Sequence, residues 1–202
     1  MKPLLAFASI LAILTGGFVS AANKGDNAAP AFSDDFSSST RNAKWVTPKG
    51  DWKIQDGALV GRELASDKHA AVLTLAIPNQ DSRLRFRFQL DGAKGFNLSM
   101  NHAKGHLFRV RFKPDGLTVT TDKVKGDPAS KVETIAQAAG KFEAGHWYAV
   151  DVTMQGDHVA VKTDNGIAVA GSHPVLNTAK PNYRFVMRDG ALRIDDVAVW
   201  TK

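Results

Sequence analysis

The sequence predicts an all-β fold, and two patterns carry that prediction. Apolar residues recur at every second position through several segments, which is the period of a strand with one buried face. Between these segments stand Asp-Gly, Gly-Asp or Asn-Gly pairs. There Gly accepts positive φ and the Asp or Asn side chain caps the turn. Several short strands at this spacing make a sandwich or a barrel.

In chain order, Trp52 and Ile54 can face one core layer. Leu84, Phe86, Phe88 and Leu90 are interleaved with Arg83, Arg85, Arg87 and Gln89. Phe96, Leu98 and Met100 alternate with Asn97, Ser99 and Asn101, and Phe108, Val110 and Phe112 with Arg109 and Arg111. Ser130 to Ala139 is predicted to make a short helix or a long loop. Tyr148, Val150, Val152 and Met154 then alternate with Ala149, Asp151 and Thr153, followed by Val159 and Val161. Ile194, Val197 and Val199 close the chain, with a bulge expected at Asp195-Asp196. The turns fall at Asp56-Gly57, Asp91-Gly92, Asp115-Gly116, Gly156-Asp157, Asn165-Gly166 and Asp189-Gly190.

The chain has 202 residues, 44% of them hydrophobic and 23% charged, which argues against wholesale disorder and a multi-span membrane protein. It contains no cysteine, so disulfides and thiolate chemistry are excluded and the core must hold the fold. Lys2, the apolar run Leu4 to Leu14, Gly16-Gly17 and then Ser20-Ala21-Ala22 have the layout of a secretory signal peptide. The run is short for a bilayer span, and no cysteine follows to carry a lipid. The expected organisation is signal peptide 1–21, flexible lead-in 22–31 and one folded domain 32–202. The mature protein is expected in the periplasm or the extracellular space, without a stable membrane anchor. The formal charge is +6, but Lys and Arg are spread along the chain rather than clustered. That spread and export argue against nucleic acid; an acidic polysaccharide suits the charge.

Asp34-Asp35-Phe36 opens the domain, followed by Gly50-Asp51-Trp52-Lys53-Ile54-Gln55-Asp56-Gly57-Ala58-Leu59. Gly145-His146-Trp147-Tyr148 and Ile194-Asp195-Asp196-Val197-Ala198-Val199-Trp200 come near the end. This order resembles the concanavalin A-like jelly-roll sandwiches, and within them the 3-keto-disaccharide hydrolase domain family, across Phe32 to Lys202. The resemblance implies two antiparallel sheets, a ligand on the concave one, and a carbohydrate partner that is bound or processed. It also allows an optional structural Ca²⁺ held by the Gly50 carbonyl and Asp195 with Asp34 or Asp35 nearby, the alternative being that these Asp end strands or bond to backbone amides; no cofactor is required. The chain departs from the laminarinase-like members, which carry Glu-x-Asp-x-x-Glu on one strand. Here the three glutamates, Glu63, Glu133 and Glu143, are isolated.

The best local constellation is Asn97, Ser99, Asn101, Arg109 and Arg111, which would share a hairpin face opposite the Phe/Leu core, with His102 and His106 across the mouth of the hairpin. Arg85 and Arg87 join it if their strand lies in the same sheet. Asn and Arg offer forked donors suited to sugar hydroxyls, carboxylates or sulfates. The bland reading is a solvated outer face. His106, Arg109 and Asp151 are the catalytic candidates, and His69 could reach the same face. A metal on His102 and His106 lacks a third ligand. Trp45 and Trp147 are candidates for stacking on sugar rings, with Trp52 and Trp200 assigned to the core. Three functions remain: a carbohydrate-binding module, a hydrolase or lyase of modified glycosides, and a laminin-G-like interaction domain of an envelope assembly with a protein partner.

Overall fold

The computed structural model describes residues 28–102 and 105–202. The proposed signal peptide and most of the lead-in lie outside them. In order, the strands are β1 (Phe32–Asp34), β2 (Trp45–Lys49), β3 (Asp51–Gln55), β4 (Ala58–Arg62), β5 (Ala71–Leu75), β6 (Ser82–Asp91), β7 (Phe96–His102) and β8 (Gly105–Lys113). They continue with β9 (Gly116–Thr121), β10 (Thr134–Ala139), β11 (Trp147–Gln155), β12 (His158–Thr163), β13 (Ala168–Ser172), β14 (Tyr183–Met187) and β15 (Ala191–Thr201). Two short 3₁₀ turns, Ala65–Asp67 and Pro174–Leu176, are the helical elements among the described residues.

The strands form two antiparallel sheets packed face to face. The eight-stranded sheet runs β13-β12-β11-β6-β15-β4-β3, with β1 also on β15. The seven-stranded sheet runs β10-β9-β8-β7-β14-β5-β2. β15 serves β4 with Ala191 to Ile194 and β1 with Val197 to Val199. The expected bulge separates these halves: the register on β6 shifts between Asp195 and Ala198, and Asp196 takes φ 49°. The extra residue bends the strand so that one edge meets two partners.

The core is where the Phe residues of the alternating segments meet. Phe88 of β6 lies 4.9 Å from Phe96 of β7, Phe86 lies 5.3 Å from Phe185 of β14, and Phe96 stacks on Phe112 at 4.5 Å. Such pairs add about 0.5–1.5 kcal/mol each beyond their buried area. Two assignments change here. Trp45 is core, wedged between Phe32 and Phe36, with its indole N–H on Asp34 at 2.9 Å. Trp200 is on the outer face of the eight-stranded sheet, because the bulge puts Val197 and Val199 inward and their neighbours outward.

Ser130 to Ala139 holds no helix. Its second half is the edge strand β10, paired with β9. Thr134 and Ile135 favour extended backbone, and Ile135, Ala136 and Ala138 pack on the core. β10 touches β13 of the other sheet where Gly171 leaves room: a Cβ there would come 2.8 Å from the Ile135 carbonyl oxygen.

Candidate functional site

β6 and β7 both point their Phe and Leu residues inward, but from opposite sheets. Their polar partners therefore point in opposite directions. This divides the residues singled out in the sequence. Asn97, Ser99, Asn101, His106, Arg109 and Arg111 share the outer face of the seven-stranded sheet, and His102 lines the depression beside them at the hairpin end. Arg85, Arg87, Asp151 and Trp147 share the outer face of the eight-stranded sheet. Arg85 and Arg87 do not join the Asn/His constellation, and Asp151 lies across the sandwich from His106 and Arg109.

On the seven-stranded sheet, one cross-strand row reads Thr74, Arg184, Ser99, Arg109 and Thr120, from β5 to β9. Ser99, Asn101 and Thr120 face outward yet retain only 3%, 8% and 6% of their exposure. Outward polar side chains normally keep their water, so this face is a trough roofed by longer neighbours. Arg109 donates from Nε to Asp122 Oδ2 at 2.8 Å, and Arg111 to Thr120 Oγ1 at 3.3 Å. At the hairpin end is a depression of about 510 Å³ lined by Thr74, Asn101, His102, Gly105, His106, Pro181, Asn182 and Arg184. No carboxylate is among them.

His106 sits at the mouth of this depression. Its Nδ1 is 2.7 Å from Asn101 Oδ1. An amide oxygen only accepts, so Nδ1 carries the hydrogen and Nε2 keeps its lone pair. Burial first, then the charge of Arg109, with smaller contributions from Arg184 and His102, lowers the His106 pKa against the pull of Asp122. A neutral imidazole with a free Nε2 can accept a hydroxyl proton or hydrogen bond. His102 stands opposite Gly105 across the hairpin end.

The eight-stranded face is arranged differently. Arg83 reaches Asp151 through Nε at 2.8 Å and Nη2 at 2.6 Å, and Arg85 lies 3.6 Å from the same carboxylate. Arg87 lies 3.2 Å from Asp196 and 3.8 Å from Asp195. Trp147 is half-buried under Arg87, and Trp200 under Arg83, at 5.1 and 5.4 Å from ring centre to guanidinium. Trp200 also donates to the Ala28 carbonyl at 2.7 Å, so the end of the lead-in docks on this face. The depression here, about 420 Å³, is lined by the paired charges Arg85, Asp151, Arg87 and Asp196, together with Lys162 and Asp164.

The remaining residues do not converge. His69 precedes Ala71, which pairs with Met187 at the end of β5 away from the trough, and its Nδ1 is 2.8 Å from the Ala70 carbonyl. Asp35 and Asp195 are close enough to repel each other. Burial, with Asp196 and Asp35, raises the Asp195 pKa, while the Asp196 backbone N–H and Arg87 lower it. Gly50 lies at the far end of the β3–β4 hairpin and donates its N–H to Asp67 at 2.6 Å. Gly50, Asp35 and Asp195 therefore do not fit a shared Ca²⁺. Among the described residues no three His, Asp or Glu side chains are grouped to hold a metal.

Sequence reasoning missed Arg184, Asn182, Thr120 and Asp122. Tyr183-Arg184-Phe185-Val186-Met187 and Leu117-Thr118-Val119-Thr120 both carry the period-two signal that would have placed them outward. Lys180 was also missed. It is 1% exposed, and its Nζ donates to the carbonyls of Gln80 at 2.9 Å and Thr178 at 2.8 Å. It ties together the two loops beside Pro181 and Asn182, which wall the depression.

This architecture defines the chain as a two-sheet antiparallel jelly-roll sandwich with a polar trough on one sheet. No family model and no curated protein matches the sequence. Solved structures do. The carbohydrate-binding module CBM66 from Bacillus subtilis is similar at TM-score 0.62 and 13% identity, over 78% of this chain and 96% of that one. SCLam, a non-specific endo-β-1,3(4)-glucanase of family GH16, is similar at 0.61 and 12%, over 84% and 89%. The laminarinase from Flavobacterium sp. UMI-01 is similar at 0.60 and 9%, over 85% and 100%. At these identities the likeness establishes the fold.

Proposed function

We propose that this chain is an exported carbohydrate-binding jelly roll, periplasmic or extracellular, whose ligand lies in the trough of the seven-stranded sheet. The observation that carries this reading is the depression at the hairpin end, lined by Asn101, His102, His106, Asn182 and Arg184, with the covered polar side chains Ser99 and Thr120 holding the row beside it. Such a surface offers many directed donors and acceptors at low cost in side-chain entropy, which is what sugar hydroxyls need. The fold shared with a carbohydrate-binding module and two glucanases supports it. The depression lacks the two carboxylates of ordinary glycoside hydrolysis, which favours binding over cleavage. His106 is the residue that would serve as a base in the 3-keto-glycoside chemistry implied by the sequence resemblance.

The test is a glycan array with neutral, acidic and sulfated sugars, run with 3-keto-glucosides and product detection. Binding that disappears in His106→Ala and Arg109→Ala supports the trough, and product in addition makes the chain an enzyme. Binding that survives both substitutions moves the site elsewhere. An array without any signal discards the carbohydrate reading in favour of a protein-interaction domain.

A further inference from the structure

Arg184 differs from every other arginine of the chain. Arg83, Arg85, Arg87 and Arg109 face carboxylates, as do Arg62, Arg188 and Arg193. Arg41 and Arg111 donate to a carbonyl and a hydroxyl. Arg184 has no acceptor among the described residues. It is also half-buried at the centre of the trough, with Ser99 on one side and Thr74 on the other. Burial, then the neighbouring Arg109, disfavours its charge, yet a guanidinium stays ionised in proteins. A charge held this way has lost part of its hydration without a protein acceptor among the described residues in return.

A second unmatched group lies beside it. Asn182, two residues earlier and on the same side of the chain, has a buried side-chain Oδ1 without a donor among the described residues. Both line the depression that also holds His102 and His106. An unmatched cationic fork and an unmatched acceptor in one small-molecule-sized recess call for a ligand with an anion next to a donor.

We infer that Arg184 anchors a carboxylate or sulfate ester of the bound saccharide, with Asn182 accepting from an adjacent hydroxyl; this rests on the carbohydrate reading above. The planar fork of arginine matches either anion with two parallel hydrogen bonds. Arg109 and Arg111 are already engaged, so they add field without competing for the anion.

The experiment is calorimetric titration of the mature chain with a galacturonate oligosaccharide, its carboxyl-reduced neutral counterpart and a sulfated carrageenan tetrasaccharide. R184Q and R184K are titrated alongside. An acidic sugar should bind at least about tenfold tighter than the neutral one, and R184Q should remove that margin, a loss of about 10- to 100-fold. R184K should keep part of it. Which acidic sugar responds separates uronate from sulfate ester. Equal binding of acidic and neutral sugars, unchanged in R184Q, overturns the inference and leaves the carbohydrate reading intact. Failure of all three sugars to bind overturns it too, and the neutral sugars of the array then decide whether the carbohydrate reading falls with it. Thermal unfolding is an independent check. R184Q removes a half-buried charge without a partner, so Tm should hold or rise. A fall would reveal a structural partner and overturn the inference.

Discussion

Nδ1 of His106 lies 2.7 Å from Oδ1 of Asn101 across the β7–β8 hairpin, at the mouth of the trough. That contact fixes the tautomer, and burial together with the surrounding cations favours the neutral ring. His106 should therefore titrate below an ordinary imidazole, chiefly through burial and then Arg109. Arg109→Gln removes a cation and frees Asp122, and both changes favour the imidazolium. The pKa of His106, followed by NMR, should rise in that variant. A pKa that stays or falls would mean that Arg109 does not sense His106.

Strand faces were legible in the sequence because the period-two pattern is local. Leu84, Phe86 and Phe88 announce a buried face without knowledge of any partner. Sheet membership was not legible, because it rests on pairings far apart in the chain. Arg85 stands opposite both Asp151 and Ala198, and no local signal marks either. The Asn97-to-Arg111 hairpin stayed together because one turn joins its strands, whereas the trio His106, Arg109 and Asp151 joined residues of opposite sheets. Trp45 was misjudged because its short edge strand carries no period. Trp200 was misjudged although its alternation with Val197 and Val199 put it outward.

Asp151 supplies a control for the choice of face. It neutralises Arg83 and Arg85 on the eight-stranded sheet. Asp151→Asn should lower stability by about 1 kcal/mol, as partly exposed ion pairs do, and leave sugar affinity unchanged. Affinity that falls with Asp151→Asn would place the ligand on the face with Trp147 and Trp200.

Lys180 and Tyr183 set opposite alkaline trends. Burial lowers Lys180 from 10.5 to about 8, against a smaller opposing pull from Asp81. Below pH 8 both folded and unfolded chains carry the ammonium, and the folded chain bears the full penalty of burying it. Between pH 8 and 10.5 the unfolded chain binds the extra proton, so stability rises with pH, by about 3 kcal/mol at most. Burial raises Tyr183 from 10 to about 12, partly offset by its hydrogen bond to Ser82. Between pH 10 and 12 the folded chain keeps a proton that the unfolded chain has lost, so stability falls by a similar amount. Urea unfolding against pH should show a rise and then a fall. In Lys180→Met the rise should vanish and the fall remain.

Two glycines separate backbone strain from crowding in the fold itself. Gly57 and Gly190 both take positive φ, 70° and 54°, each after an Asp at 52° and 58°. The two turns therefore impose a similar conformational demand, and Ala at either should cost about 1 kcal/mol from strain. Their surroundings differ. A Cβ on Gly57 meets nothing within 4 Å, whereas one on Gly190 would overlap the Gly92 backbone. That contact is where the β14–β15 turn crosses the chain leaving β6, beside the Gly92–Ala191 bridge. Gly190→Ala must push one backbone off another, and backbone yields less than a flexible side chain. It should destabilise by at least about 1 kcal/mol more than Gly57→Ala, in the range of overpacking changes. Chemical denaturation of the two variants side by side measures the difference. Equal losses would mean that the crossing is loose and that the turn conformation alone makes glycine necessary there.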